Sequence, residues 1–134
     1  LVFSAAGFAA CSSDPANSGD EKKQLYEIAK FLEVEFPSDA KIVHTEKNHR
    51  GNELAYYHII YTPMPIKFNT PPVAKITDED SINNLKKLTG SGKPGKLGDK
   101  WVYCYEGKVE DGEWSAYQTN FENGSYLEIE QFYF

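Results

Sequence analysis

Two dipeptides, Asp111-Gly112 and Asn123-Gly124, lie twelve residues apart in the last third of the chain. Asp-Gly and Asn-Gly between apolar runs are the strongest short-range hairpin signals, because a tight two-residue turn needs positive φ. The segments around them, 101–109, 113–122 and 125–133, are dense in Tyr, Phe and Trp, which suit a pleated, half-buried surface. The pattern predicts a three-stranded antiparallel meander, with Glu110 opposite Glu113 and Glu122 opposite Ser125. Side chains alternate along a strand. One face then carries Trp101, Tyr103, Tyr105, Val109, Trp114, Ala116, Leu127, Ile129 and Tyr133, read as the core face. The other carries Cys104, Lys108, Tyr117, Phe121, Tyr126, Glu128, Glu130 and Phe132.

Upstream, Ser18 and Glu21 have capping-box spacing, and Leu25, Ile28, Ala29 and Leu32 recur at helical intervals, predicting a helix over 20–33. Residues 41–47 (KIVHTEK) and 53–62 (ELAYYHIIYT) read as two strands around the turn NHRGN. Four prolines between Pro63 and Pro72 follow, which forces an extended excursion or an edge segment. Thr77-Asp78-Glu79-Asp80 opens a second helix, with Ile82, Leu85 and Leu88 facing inward. Lys86 and Lys87 in its last turn complement the helix dipole, and Gly90 stops it. The expected fold is α+β: an antiparallel sheet of about five strands, two helices packed on one face, order α-β-β-α-β-β-β. Residues 21–134 form one domain.

The chain has 134 residues, enough for a core without staples, and a net charge of −6, which argues against a nucleic-acid surface. His44 and His58 fall opposite one another if the first hairpin turn is Arg50-Gly51-Asn52, giving a weak alternative metal pair with Glu46 near. A catalytic zinc needs three protein ligands, and no metal or other cofactor is implied. Gly90 to Lys96 spells G-x-x-x-x-G-K, but Leu97 follows where Ser or Thr would hold Mg²⁺, and the helix precedes the loop rather than following it. That stretch reads as a linker. Lys86, Lys87, Lys93, Lys96 and Lys100 concentrate charge there; Lys93, Lys96 and Lys100 are candidate contacts for an anionic surface. No G-x-S-x-G nucleophile elbow is present. Cys104 lies between Tyr103 and Tyr105 and reads as a packed thiol. Glu128 and Glu130 share a strand face and could act as acid and base, but nothing predicts a cleft around them. Tyr117, Phe121, Tyr126 and Phe132 form an aromatic patch on the second sheet face and are candidate partner-binding residues.

Residues 1–10 are uncharged, and they are too few to cross a bilayer as a helix, which takes about 20 residues. Their length suits the apolar region of a signal peptide, with neither Met nor a basic segment ahead of it, so the leader is read as clipped upstream. Phe8-Ala9-Ala10-Cys11 resembles the lipobox of bacterial lipoproteins, with Phe8 where that family usually has Leu. The resemblance implies acylation of Cys11, such as by palmitate, and removal of residues 1–10. Residues 11–20 then become a lipidated cysteine and flexible tether. Ser12 resembles the outer-membrane sorting signal of that family. The expectation is a lipid-anchored extracytoplasmic binding or accessory protein of the cell envelope, without catalysis. It would reside on the outer membrane facing the periplasm in a Gram-negative cell, with the membrane and an envelope protein as partners. The alternative is a small extracytoplasmic hydrolase using His44 and His58.

Overall fold

The structure, a computed structural model, describes residues 15–51, 53–89 and 96–134. The elements run α1 (Pro15–Leu32), β1 (Lys41–Arg50), β2 (Glu53–Thr62), β3 (Ala74–Ile76), α2 (Glu79–Leu88), β4 (Leu97–Val109), β5 (Gly112–Phe121) and β6 (Gly124–Tyr133). All six strands join one sheet in the order β1-β2-β6-β5-β4-β3, antiparallel throughout.

This corrects the expected architecture. The sheet dominates, it has six strands rather than about five, and the short strand β3 enters the order before α2. The helices lie on opposite faces. Ile28 and Leu32 of α1 pack with Ile60, Trp114, Ala116, Leu127 and Ile129. Ile82 and Leu85 of α2 pack with Ile59, Val102, Phe121 and Tyr126 on the other side. The cause lies in β2, where the run Tyr56-Tyr57-His58-Ile59-Ile60-Tyr61 is apolar or aromatic on both sides of the pleat. Such a strand needs a layer on each face.

Local chemistry places each helix. Pro15 stands at the first helical position of α1, where its fixed φ and missing N–H cost nothing. The helix therefore starts inside the expected tether and encloses Ser18, which is not its cap. Glu21 serves elsewhere: its carboxylate accepts from the Ile42 N–H at 2.9 Å, beside an irregularity in β1. Asp78 caps α2, accepting from the Ser81 N–H at 3.2 Å, and its pKa is lowered chiefly by the hydrogen bonds from Ser81.

The two C-terminal hairpins differ from expectation in register. Val109 pairs with Gly112 and Phe121 with Gly124, so the turn residues are Glu110-Asp111 and Glu122-Asn123. None of those four has positive φ, which rules out the primed turns; glycine instead occupies the position after the turn. Each turn sits one residue earlier than expected, so the strand before it ends one residue sooner and the strand after it begins one residue sooner. Parity, and hence the division into two faces, is unchanged.

The proline-rich segment crosses the α1 face of the sheet before β3 pairs with β4. Phe68 stacks on Tyr105 at 3.8 Å between ring centroids. Gln118 clamps the segment, its Oε1 accepting from the Ile66 N–H at 2.6 Å and its amide donating to the Ile66 carbonyl at 3.1 Å. Gln118→Leu strips both partners from a buried backbone. It should lower unfolding free energy by about 2 kcal/mol in urea titrations, with the denaturant slope unchanged.

Candidate functional site

On the α1 face, where α1 leaves the β2–β6 pair, a crevice of about 290 Å³ opens between helix and sheet. Its floor is His58 and Gln131, its walls Tyr56, Tyr133 and Leu54, and its helical rim Gln24, Glu27 and Ile28. His58 and Gln131 are each 4% exposed, buried polar residues beside the apolar cluster of this face.

Their hydrogen bonds form a directed chain. His58 Nε2 lies 3.0 Å from Gln131 Oε1, which can only accept, so Nε2 carries the proton. Nδ1 therefore accepts from the Thr45 hydroxyl at 3.1 Å. Burial holds the imidazole far below its ordinary range, down to about 4; the Gln131 bond opposes that shift and His44 adds to it. His58 is neutral at neutral pH, and the chain Thr45–His58–Gln131 ends in the Gln131 amide nitrogen as donor. Tyr56 stacks parallel to His58 at 6.0 Å and meets Tyr133 edge-on at 5.8 Å. Phe31 tilts onto Tyr133 at 5.1 Å, fixing that ring from the helix side. Burial raises the Tyr133 pKa, and the nearby Tyr56 and Glu27 raise it further, so its hydroxyl keeps its proton.

The histidine pair expected from sequence is not formed. Ile42 pairs with Ile60, the register that would put His44 against His58, but the irregularity between Ile42 and His44 moves His44 onto Ile59. A two-residue turn closes the hairpin, with Arg50 pairing Glu53, and Thr45 becomes the residue opposite His58. The two imidazoles thus fall on opposite faces of the sheet. Among the described residues no group of three or more His, Cys, Asp or Glu is placed to hold a metal.

The aromatic patch is second-face core. Phe121 and Tyr126 are 6% and 4% exposed, meet edge-on at 5.7 Å and lie under α2. Tyr117 is half-buried against the same cluster, and Phe132 is half-buried farther along β6, opposite Glu113. The structure therefore does not present these four as one open surface. Cys104 is buried and free, and burial raises its thiol pKa.

Beyond α2 the second face turns polar. The Tyr57 hydroxyl donates to Glu128 Oε2 at 2.5 Å, and His44 Nε2 contacts Glu46 Oε2 at 2.5 Å. Burial raises the Glu128 pKa against the lowering effect of the Tyr57 bond, and Glu130 and Asp78 raise it further. Burial, then the hydrogen bond to Glu128, drives the Tyr57 pKa well up. Of the lysine candidates, Lys96 is exposed, and Lys100 Nζ sits 5.1 Å from the Trp101 ring, with Lys75 Nζ at 4.6 Å. Lys93 and Cys11 lie outside the described residues.

The crevice was missed at the sequence level, although Tyr133 was placed on its face correctly. What was lacking was the pairing of β2 with β6, which brings Tyr56 beside Gln131 and His58 beside Ile129.

No protein-family model matches the chain, and no solved structure matches it. A beta-amylase of Zea mays is 36% identical over 74 residues, covering 54% of this chain. The match spans only 15% of the length of that protein.

Proposed function

We propose that this chain is a lipid-anchored binding or accessory protein of the bacterial cell envelope, held by an acylated Cys11, contacting its ligand through the α1 crevice. In a Gram-negative cell the domain faces the periplasm from the outer membrane. The observation that carries the binding role is the directed chain Thr45–His58–Gln131 at the floor of a concave site. Polar groups this buried are costly unless paired, and a crevice of this kind with convergent polar groups is a natural ligand site. The anchor rests on Phe8-Ala9-Ala10-Cys11 and on the few polar residues between Cys11 and α1. Lys75 and Lys100 flanking Trp101 support a headgroup-facing edge, since indole and ammonium groups favour the membrane interface. Lys96 adds exposed charge near it in sequence, and Lys93 belongs to the same proposed contact.

The test is metabolic labelling with a palmitate analogue in bacterial cells expressing the chain behind a complete leader, followed by membrane fractionation. Wild type should carry the label and sediment with membranes. Cys11→Ser should lose the label and release at least about 10-fold more protein to the soluble fraction, as removal of acyl chains predicts. An unmodified Cys11 with residues 1–10 attached would defeat the anchor.

A further inference from the structure

We infer that the α1 crevice binds a single uncharged, polyhydroxylated ring, a monosaccharide unit, through Glu27, Tyr56, Tyr133 and Gln131. This rests on reading the crevice as the binding site, but not on the anchor. At about 290 Å³ the site lies at the small end of ligand cavities, which start near ~300 Å³, so it suits one ring rather than an extended molecule. Its chemistry narrows the class. Among the described residues the lining holds two phenol hydroxyls, two side-chain amides and one carboxylate, with no Lys or Arg. An anion would have Lys47 in its favour and the Glu27 carboxylate against it. A purely apolar ligand would strip water from these groups and return no hydrogen bonds. A cation would have one carboxylate in its favour and Lys47 against it, whose Nζ stands 5.9 Å from the Tyr56 ring.

Neighbouring hydroxyls on a sugar ring match what is there. A carboxylate accepts two O–H donors side by side, a phenol both donates and accepts, and the Gln131 amide donates. The floor is held in place beforehand. His58 cannot turn without breaking its bonds to Thr45 and Gln131, and Tyr56 is held between His58 and Tyr133. Little ordering is left to be done on binding.

The experiment is an amide-resolved NMR titration of the full chain carrying Cys11→Ser, so that acylation plays no part. D-glucose, D-galactose and N-acetyl-D-glucosamine are the probes, with ethanolamine as a cationic comparison. At least one sugar should shift amides confined to residues 24–28, 54–58 and 131–133, with a dissociation constant on the order of 1 mM. Glu27→Gln should weaken it about 10-fold and Tyr133→Phe about 5-fold, in line with loss of a charged and a neutral hydrogen-bond partner. Neither change removes ring packing, and an unchanged spectrum elsewhere verifies the fold. Absence of crevice shifts with all three sugars up to about 50 mM would overturn the proposal. If ethanolamine alone shifts the crevice, the site stands and the ligand class is wrong. If no probe does, the crevice as binding site falls as well.

Discussion

Gly124→Ala is expected to destabilise the domain by about 4 kcal/mol, lowering its melting temperature by about 10 °C or more. Gly124 opens β6 with φ of 139°, a conformation that L side chains rarely adopt. That strain alone is on the order of 1–3 kcal/mol. A Cβ there would also lie 2.4 Å from Tyr61 Cε1 and 2.8 Å from the Thr62 carbonyl oxygen. The ring cannot swing aside cheaply, because the Tyr61 hydroxyl donates to the Asn123 carbonyl at 2.7 Å and the ring packs edge-on against Tyr126 at 5.3 Å. Relief would have to come from separating β2 and β6, which join the first hairpin to the C-terminal meander. Equilibrium urea unfolding measures the loss. The comparison is Gly51→Ala, where φ is 61° but nothing lies within 4 Å of the added Cβ. That variant meets only the left-handed backbone penalty, about 1–2 kcal/mol. Equal losses in the two variants would mean that contact with Tyr61 contributes nothing.

The same glycine shows what the sequence could reveal. Asn123-Gly124 announced a hairpin, and a hairpin is there. The dipeptide could not say whether glycine was wanted within the turn or just after it. It is wanted after, because of Tyr61, which is some sixty residues away in sequence. The faces of β4, β5 and β6 were nevertheless legible, since a slip on both sides of a turn preserves alternation. Helix α2 was legible because its cap at Asp78, acidic first turn and basic last turn are all local. Its side of the sheet was not, although β2 carried a signal in its unbroken aromatic and aliphatic run. The candidate site was least legible. His58 was singled out, but for a partnership with His44 that one irregularity in β1 abolishes. Its real neighbours, Gln131 and Tyr133, come from the last strand through pairing that no local pattern encodes.

Acid should destabilise the domain through His58. The unfolded chain binds a proton on this imidazole near its ordinary pKa of 6.5, while burial in the folded state delays protonation until about 4. Between those values the unfolded state holds more protons, so stability falls as pH drops through the window and is fully retained above it. The separation corresponds to about 3 kcal/mol lost by the time pH reaches 4. The geometry explains why the site resists the charge. Burial is the main cause, and a second proton on Nδ1 would also require the Thr45 hydroxyl, which now donates to it, to turn and accept. Glu27 on the α1 rim is the carboxylate lining the crevice, while burial raises the Tyr133 pKa and keeps that phenol uncharged in this range. Glu128, on the other face, works in the opposite sense: its raised pKa means that the folded state takes up a proton more readily as pH falls. Wild type alone therefore reports a sum. The difference between wild type and His58→Gln, followed by urea unfolding from pH 7 to pH 4, isolates the imidazole. The variant should be less stable at pH 7, where the chain to Gln131 is disturbed, and the gap should close by about 3 kcal/mol toward pH 4. Parallel pH profiles for the two proteins would show that His58 titrates alike in folded and unfolded chains, and that the crevice floor is wetter than its burial implies.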